Sequence, residues 1–427
     1  MKTFYIHTMG CKANQFESSI IEENLLNNGF ERVSDVSDAD IYILNSCSVT
    51  HKSDNEALYL LRAAKHKKPD ISVVVTGCFA QLEKENLLKY DFVDYVFGND
   101  EKLNMYNALC SGMKSQVKDL MSLEEFNEVE LVDTAKTRAS LKIQDGCDSR
   151  CSYCIIWKAR GKSRSASPEF IINQINKFSA QGFKEVVLTG IHIGQWGKDR
   201  GSNLKKLLEQ IETETSINRY RLGSLNPTEI DDELLEFLSK SKKFCPHFHL
   251  SLQSANDKTL RSMNRFYKTE DYLEQINTIN NMFELPFLGS DIIAGFAGET
   301  EDDFEITRKN LEISGLTQIH TFPYSKREGT VGASMPNQVS DDEKNRRADI
   351  IKKISRKKYI DFVSRNVGKV CEVLIEKHRD RHNNNLKGVT RNYLTVQIVS
   401  DREDLYNTLC NAEITGFKDG IIYARLI

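Results

Sequence analysis

Three cysteines lie within eight residues of one another in the segment DGCDSRCSYC, at Cys147, Cys151 and Cys154 (the central trio). They come just after a predicted strand, Leu141–Gln144. Thiolates at this spacing can reach three irons of one cubane cluster, and iron–sulfur clusters are normally held by Cys. Such a site leaves the fourth iron open to a small-molecule ligand. Zinc is the alternative, although a structural zinc site usually takes four protein ligands.

A second trio is spread along the N-terminal region: Cys11 in MGCKANQ, Cys47 in NSCSVT and Cys78 in TGCFAQ (the N-terminal trio). Each cysteine follows a predicted parallel strand, and such strands converge on one edge of a sheet, where ligands bind. Gly10 and Gly77 precede two of them. This pattern favours a second iron–sulfur cluster over three buried apolar cysteines, although free Cys is often buried.

The elements around both trios alternate between strand and helix patterns, which predicts an α/β fold. In residues 1–100 the predicted strands are Thr3–His7, Asp40–Leu44, Ser72–Thr76 and Tyr95–Phe97, with helices at about 15–28, 53–67 and 82–89. Six further strands are predicted at Leu141–Gln144, Glu185–Leu188, Tyr220–Leu222, His247–Ser251, Gly289–Ile293 and Gln318–Phe322. Six β/α units indicate a full or partial barrel with its chemistry at the carboxyl ends of the strands.

The C-terminal part changes character. Residues 341–365 read as one basic helix, and residues 366–427 contain short β-type runs typical of a small β-barrel. We therefore predict three domains, at residues 1–110, 137–365 and 366–427, with a linker at the end of the acidic stretch 122–137.

Composition restricts the class of protein further. The 427 residues carry a net charge of −3, but residues 344–391 hold 15 Lys/Arg against five Asp/Glu, so this +10 stretch leaves −13 on the rest. A basic end on an acidic chain suggests a polyanionic partner, with a solvated helix face as the alternative. No apolar run approaches the roughly 18 residues of a membrane span, and His7 interrupts any secretory apolar core. We expect a cytoplasmic protein with no membrane partner, whose reduced cysteines are ligands, catalysts or buried fillers. Four cysteines without a comparable spacing are interpreted as structural: Cys110, Cys245, Cys371 and Cys410.

The central trio resembles the signature of the radical S-adenosylmethionine (SAM) superfamily. This resemblance implies that SAM chelates the open iron of a [4Fe-4S] cluster and is cleaved by one electron to a 5′-deoxyadenosyl radical. It also suggests residues that contact SAM. Tyr153 occupies the aromatic position before the last Cys, although a core tyrosine fits equally well. The other candidates lie at strand ends or just beyond them: Thr189, Gly190, Ser251, Gln253, Arg265 and Gly295. Arg265 would pair with a carboxylate in a bidentate manner, and Gly295 would let adenine approach the backbone.

With both trios considered, the whole chain resembles a methylthiotransferase. Such enzymes join an N-terminal three-Cys domain, a radical-SAM barrel and a C-terminal TRAM domain, a small RNA-binding β-barrel. The motifs GCKANQ, PHFHLSLQS and FPYSKREGT resemble the branch that acts on N6-threonylcarbamoyladenosine in tRNA. Trp157 and Ala297 stand where Pro is usual, which affects the shape of two loops.

This resemblance implies two [4Fe-4S] clusters, SAM, an electron donor, a sulfur source and methylthiolation at carbon 2 of the adenosine at position 37. The anticodon arm of tRNA would bind the TRAM barrel and the basic helix mainly through phosphates. Arg160, Lys162 and Arg164 follow the cluster loop and could hold tRNA phosphates, with a solvated loop as the alternative.

The competing enzymatic interpretations are methylthiolation of isopentenyladenosine in tRNA or of a ribosomal protein. The remaining alternatives are an iron–sulfur carrier that binds RNA and a zinc-binding RNA chaperone. The identity of the nucleoside rests on resemblance alone.

Overall fold

A computed structural model describes residues 2–131 and 136–427, so part of the predicted linker, residues 132–135, lies outside the described residues. The N-terminal region is a parallel sheet of six strands in the order β2-β1-β3-β4-β5-β6. Its strands are β1 Thr3–Thr8, β2 Glu31–Arg32, β3 Ile41–Ser46, β4 Ser72–Gly77, β5 Tyr95–Phe97 and β6 Ser115–Gln116. Its helices are α1 Lys12–Asn27, α2 His51–Lys67, α3 Cys78–Leu87 and α4 Met105–Cys110. All residues of β3 are buried, as expected for a parallel strand covered on both faces.

The four predicted N-terminal strands are confirmed. Helices α1 and α3 begin three to four residues earlier than predicted, directly at the strand ends, because Gly10 (φ +85°) and Gly77 (φ +93°) turn the chain sharply. The sheet also extends past the predicted boundary at residue 110, since β6 pairs with β5.

The central region carries the six predicted β/α units. Its strands are β7 Ala139–Asp145, β8 Arg164–Ser165, β9 Glu185–Gly190, β10 Arg219–Leu222, β11 His247–His249, β12 Phe287–Ala294 and β13 Gln318–Pro323. Its helices are α5 Ile156–Arg160, α6 Pro168–Ala180, α7 Leu204–Glu214, α8 Asp232–Lys240, α9 Asp257–Ser262, α10 Thr269–Met282, α11 Glu301–Ile313, α12 Val331–Ser334 and α13 Asp341–Asn366.

The parallel strands follow the spatial order β7-β9-β10-β11-β12-β13, with isolated bridges such as Leu225↔Leu250 joining β10 to β11. The short β8 runs antiparallel to β7. The arrangement is therefore an open, partial barrel, and no pairing between β13 and β7 closes it among the described residues. Apolar side chains from the strands and surrounding helices form its core, and Phe16 and Ile20 of α1 join that core from the N-terminal region.

The long helix α13 agrees with the predicted basic helix at 341–365. Ser340 caps it by accepting a hydrogen bond from the Glu343 backbone, and three acidic residues occupy its first turn, where the helix dipole favours them. Much of its positive charge is paired within the fold. Arg347, for example, is buried and contacts Glu299 at 2.7 Å.

The C-terminal region is a closed five-stranded barrel in the order β14-β15-β16-β18-β17. Its strands are β14 Val370–Ile375, β15 Leu386–Thr390, β16 Thr395–Ile398, β17 Leu409–Lys418 and β18 Ile421–Leu426. This barrel packs beneath the central one: Arg219 donates to the Val389 carbonyl at 2.9 Å, and Arg391 donates to the Phe244 carbonyl at 2.6 Å. It thus covers the amino ends of the central strands in addition to presenting its own surface. Within the described residues, every helix is too short or too polar to span a lipid bilayer.

Candidate active site

The N-terminal trio gathers at the carboxyl edge of the first sheet. Strands β1, β3 and β4 are neighbours in register, with Thr8 opposite Asn45 and Ser46 opposite Gly77. Cys11 precedes α1, Cys47 follows β3, and Cys78 opens α3.

Close approach between these segments depends on the two glycines. A Cβ on Gly10 would lie 2.8 Å from Cys47 Sγ, and a Cβ on Gly77 would lie 2.3 Å from the Ser46 carbonyl. Cys47 and Cys78 are buried, whereas Cys11 is exposed. Burial, with smaller contributions from Cys78 and Cys11, raises the pKa of the Cys47 thiol to about 11. Metal binding at this trio therefore has to release protons.

The central trio lies in the loop between β7 and α5. Gly146 starts this loop with φ +74°, at a point where a Cβ would lie 1.8 Å from the Lys162 carbonyl. The loop closes on itself because the Cys147 backbone donates to the Gly161 carbonyl at 3.0 Å and the Cys154 backbone donates to the Cys151 carbonyl at 3.0 Å. Burial, with contributions from Cys151 and Cys147, raises the pKa of the Cys154 thiol to about 12.

Each trio offers three soft thiol donors, which suit iron–sulfur clusters. Among the residues described, no three His, Cys, Asp or Glu side chains are arranged around a single metal ion. Three thiols are one fewer than the four protein ligands of a structural zinc ion. The donor set of each trio therefore fits an iron–sulfur cluster better than structural zinc.

A chain of polar side chains, which the sequence did not predict, links Cys147 to Cys151. His192 Nδ1 lies 3.3 Å from Cys147 Sγ, and its other nitrogen contacts Asn226 and Glu229. Asn226 in turn accepts from Arg265 Nη2 at 2.6 Å. His192 and Asn226 follow strands β9 and β10. The position after a strand end, which identified Thr189 as a candidate, could have identified both of them as well.

Arg265 lies beside the central trio but is not free to form the predicted bidentate pair. Its Nη2 also donates to the Ser251 carbonyl at 2.7 Å, and its Nε donates to the Tyr267 hydroxyl at 3.0 Å. Nη1 faces Cys151 Sγ at 3.7 Å. Because most of its donors are engaged, Arg265 holds the Ser251 segment against Cys151, which corrects the carboxylate-pairing role expected from the sequence.

Gly295 has a different reason for being glycine than the one expected. A Cβ there would lie 2.5 Å from Lys344 Cγ and 3.2 Å from Lys344 Cα, so the space is filled by helix α13. This contact accounts for the glycine by itself, and the approach of adenine to the backbone here remains a prediction. Similarly, a Cβ on Gly190 would lie 2.7 Å from the Gln144 carbonyl, so this glycine permits the contact between β9 and β7.

The remaining predicted SAM residues lie at the carboxyl edge of the barrel. Thr189 is buried at the end of β9. Gln253 has a positive φ of +72°, a strained conformation of the kind that clusters at functional sites. Tyr153 packs beside Met263, Phe296, Ala297 and Tyr324, which matches the core-tyrosine alternative and leaves its contact with SAM a prediction.

The two loops in which Pro is replaced are well packed. Trp157 stacks under Arg150, with 4.4 Å between the guanidinium carbon and the ring centroid. Ala297 is buried in the Tyr153 cluster. Of the four cysteines interpreted as structural, Cys245 is fully buried, Cys371 and Cys410 are partly buried on neighbouring strands, and Cys110 is exposed.

The segment after the central trio turns inward. Arg160 is fully buried and Arg164 is 5% exposed, so neither presents its guanidinium to a phosphate, which contradicts the prediction for both. Arg164 instead donates to the Arg160 and Lys162 carbonyls. Lys162 is exposed, and its contact with tRNA remains a prediction.

Arg160 links the segment that follows the central trio to the N-terminal trio. Its Nε lies 3.3 Å from Cys78 Sγ, and its Nη2 donates to Asn14 Oδ1 at 2.6 Å. Its guanidinium also pairs with Glu17 of α1, which is fully buried. The same carboxylate contacts Lys102 Nζ at 2.5 Å and Lys142 Nζ at 2.7 Å. We call this set, together with Asp145, the Glu17 network: Glu17, Lys102, Lys142, Asp145 and Arg160.

The chain matches two family models. Residues 3–98 match the uncharacterized protein family UPF0004, and residues 141–311 match the radical SAM superfamily. Among solved structures, a radical SAM methyltransferase, TsrM from Kitasatospora setae, shares the fold with a TM-score of 0.58 at 13% identity, covering 78% of this chain and 77% of that one.

Curated relatives extend over nearly the whole chain. A threonylcarbamoyladenosine tRNA methylthiotransferase MtaB of Aquifex aeolicus is 37% identical over 87% of this chain and 92% of its own. The Bacillus subtilis protein of the same name is 33% identical over 97% and 94%. A tRNA-2-methylthio-N(6)-dimethylallyladenosine synthase of Caldicellulosiruptor saccharolyticus is 35% identical over 100% and 93%. Because these relatives are 33–37% identical over 87–100% of this chain, and residues 141–311 match the radical SAM model, the chain belongs to the radical SAM methylthiotransferase family.

Proposed function

We propose that this protein adds a methylthio group to carbon 2 of N6-threonylcarbamoyladenosine at position 37 of tRNA. The observation that carries the proposal is Arg160, which follows the central trio yet reaches Cys78 of the N-terminal trio at 3.3 Å. Two cluster sites brought together by one segment of the chain suit a reaction in which one site supplies the radical and the other the sulfur. The substrate named for the MtaB relatives, at 32–37% identity, supports the choice of nucleoside.

The family implies SAM and [4Fe-4S] clusters, and the two trios are the residues that would hold the clusters. When bound, these groups supply the radical that removes hydrogen from carbon 2 and the methylated sulfur that replaces it. The protein provides the positions. Arg265 and Asn226 fix the Ser251 strand end beside Cys151, and His192 contacts Cys147. Thr189 and Gln253, at neighbouring strand ends, are the residues we expect at SAM.

The tRNA phosphates are expected on the C-terminal barrel and the exposed part of α13. A groove between β14 and β15 is lined by basic side chains, of which Arg381 is exposed and Lys387 is partly exposed. Neither makes an ion pair within the described residues. Arg379 in the same groove is occupied by the Tyr406 hydroxyl and the Ser400 carbonyl. Phosphate contacts of this kind position the RNA without reading its sequence.

The test uses anaerobically reconstituted protein with SAM, sulfide and dithionite, the last two standing in for the sulfur source and the electron donor. Three substrates are compared by mass spectrometry: tRNA carrying N6-threonylcarbamoyladenosine, tRNA carrying isopentenyladenosine, and ribosomal protein. We expect methylthiolated product from the first. Product from either of the others alone would refute the proposal and identify the competing activity.

A further inference from the structure

Tyr393 of the C-terminal barrel contacts side chains of both other regions. The His247 ring lies 4.1 Å from the Tyr393 ring between centroids, and the guanidinium carbon of Arg221 lies 4.9 Å from the Tyr393 centroid. The third neighbour is Lys12 of α1, whose Nζ is 5.9 Å from the same centroid. Lys12 directly follows Cys11, so a single peptide bond joins this group of side chains to the N-terminal trio. We call Lys12, Arg221, His247 and Tyr393 the Tyr393 cluster.

The arginines in and around the Tyr393 cluster form ion pairs with carboxylates. Arg219 and Arg221 share the buried Glu185, at 2.7 and 3.1 Å. Arg138 lies 3.7 Å from Glu376. These cations therefore serve to join the central and C-terminal barrels, and none needs a ligand.

Lys12 differs from them. The Lys12 side chain is partly buried and its ammonium group lies over the Tyr393 ring. That group has no carboxylate within 4.0 Å and donates no hydrogen bond to any part of the chain that the structure describes. Beside it, His247 is 6% exposed and its Nδ1 also lacks a hydrogen-bond partner in those residues. A cation removed from water is stabilised by a counter-charge, and the described residues place none within 4.0 Å of Lys12, so this position fits an anionic ligand.

We propose that Lys12 binds the carboxylate of the threonyl group on the substrate nucleoside. This inference rests on the proposed function. The threonylcarbamoyl substituent ends in a carboxylate, and the neutral isopentenyl group offers Lys12 no charge to pair with. Because Lys12 is adjacent to Cys11, a carboxylate held by it keeps the nucleoside next to the N-terminal trio. Lys12 is thus a specificity-determining residue of the site.

The test compares two anticodon stem-loops that differ in one group. One carries N6-threonylcarbamoyladenosine, and the other carries the analogue whose carboxylate is replaced by a neutral carboxamide. Both are given to the reconstituted holoenzyme, and methylthiolated product is measured as kcat/KM. Stem-loop binding is followed separately by fluorescence anisotropy. We expect a preference of about 10- to 100-fold for the carboxylate, the range for a hydrogen bond between charged groups.

Two variants at this position assign the preference to Lys12. Lys12→Gln should reduce the ratio of the two kcat/KM values to near one, and Lys12→Arg should keep most of it. The matched control is Lys52→Gln, which removes an exposed cation near Cys47 and should retain the full ratio. Iron content and circular dichroism verify that each variant is folded and loaded.

The outcomes distinguish failure of the Lys12 inference from failure of the proposed function. If the unmutated enzyme modifies both stem-loops equally, or if Lys12→Gln retains the preference, the inference is wrong and the proposed function stands. If Lys12→Gln instead weakens SAM binding measured without tRNA, the carboxylate held by Lys12 belongs to SAM and the inference is again wrong. If the unmutated enzyme modifies neither threonylcarbamoyladenosine nor its analogue, the proposed function itself fails.

Discussion

Replacing Glu17 by Gln should detach the N-terminal region from the central barrel. Glu17 is fully buried in α1, and its carboxylate faces Lys102 of its own region as well as Lys142 and Arg160 of the central one. The amide keeps the shape and removes the charge. Asp145 would then remain beside two of the three buried cations, 3.0 Å from Lys142 and 3.5 Å from Arg160, and Lys102 would have no carboxylate within 4.0 Å among the described residues.

Leaving a buried charge without its partner typically costs about 3–5 kcal/mol. With a urea m value of about 2 kcal/mol/M, this cost lowers the midpoint of the first unfolding transition by about 1.5–2.5 M. The matched control is Glu22→Gln on the same helix, because Glu22 forms one partly exposed ion pair with Arg32 at 2.6 Å. Such surface pairs contribute about 0.2–1 kcal/mol, so the control should move the midpoint by less than about 0.5 M.

The assay is urea unfolding of the cluster-free protein, with hydrogen exchange of α1 and β7 to locate the transition. Burial alone would raise the pKa of Glu17, but Arg160, Lys102 and Lys142 hold it well below its usual range. Its stabilising effect is therefore complete above about pH 5 and declines as the pH falls below the unfolded-state value of about 4.3. Equal midpoints for Glu17→Gln and Glu22→Gln at pH 7 would show that the Glu17 network does not hold the interface.

Four further outcomes follow from the site. Replacing all three cysteines of the N-terminal trio by Ala should abolish methylthiolated product and leave uncoupled SAM cleavage measurable by chromatography; normal product yield would contradict the division of roles. Cys147→Ala should roughly halve the iron per chain and abolish SAM cleavage, whereas unchanged iron would place the second cluster elsewhere. Replacing Arg381 and Lys387 by Gln should weaken tRNA binding in filter assays and reduce the slope of log K against log[salt] by about 1.5, at about 0.7–0.9 per phosphate contact; an unchanged slope would move the RNA surface to Lys162 and α13. Burial alone would raise the pKa of Glu185, but Arg221 and Arg219 lower it to about 2. Glu185→Gln should therefore lower the unfolding free energy of the cluster-free protein by about 3 kcal/mol above pH 5, and by progressively less below pH 4. A difference that does not change with pH would contradict this assignment.

The strands and both trios were predictable because their signals are local. Runs such as Ile41–Ser46 combine β-branched and apolar residues with a turn residue at the end, and each cysteine stands at that end. Parallel topology then brings the strand ends together without any knowledge of long-range contacts. The spacing of the central trio is local in the same sense.

Arg160 shows where such reasoning stops. In the sequence it belongs to a short basic run, KARGKSR, whose charge suggested contact with tRNA phosphates. Its partner Glu17 is 143 residues earlier, on a helix whose sequence does not indicate which of its charged residues are buried. Whether a cation is solvated or buried depends on which carboxylate the tertiary structure brings to it. The same limit applies to Gly295, whose neighbour Lys344 lies on α13.

The C-terminal barrel was expected to supply RNA affinity alone, and the structure gives it a second role. Tyr393 forms the floor of the central barrel against His247, and the Val389 and Thr390 carbonyls accept from Arg219 and Arg221. Removing this barrel would expose Phe287 and Phe362, which are buried against it, so truncation would also destabilise the central region. Point substitutions on its outer groove therefore separate RNA binding from catalysis better than truncation.

Helix α1 explains how sites from separate regions keep a fixed relation to one another. Cys11 comes immediately before it, Lys12 contacts the Tyr393 ring, and Asn14 and Glu17 bind Arg160. Asn14 and Glu17 are three residues apart and so lie on one helix face, which explains why a single guanidinium can contact both. Because α1 is rigid over these six residues, docking of the Glu17 network onto the barrel sets the position of Cys11 and Lys12 at the same time. The interface that holds the regions together therefore also fixes the N-terminal trio and Lys12 relative to the central trio.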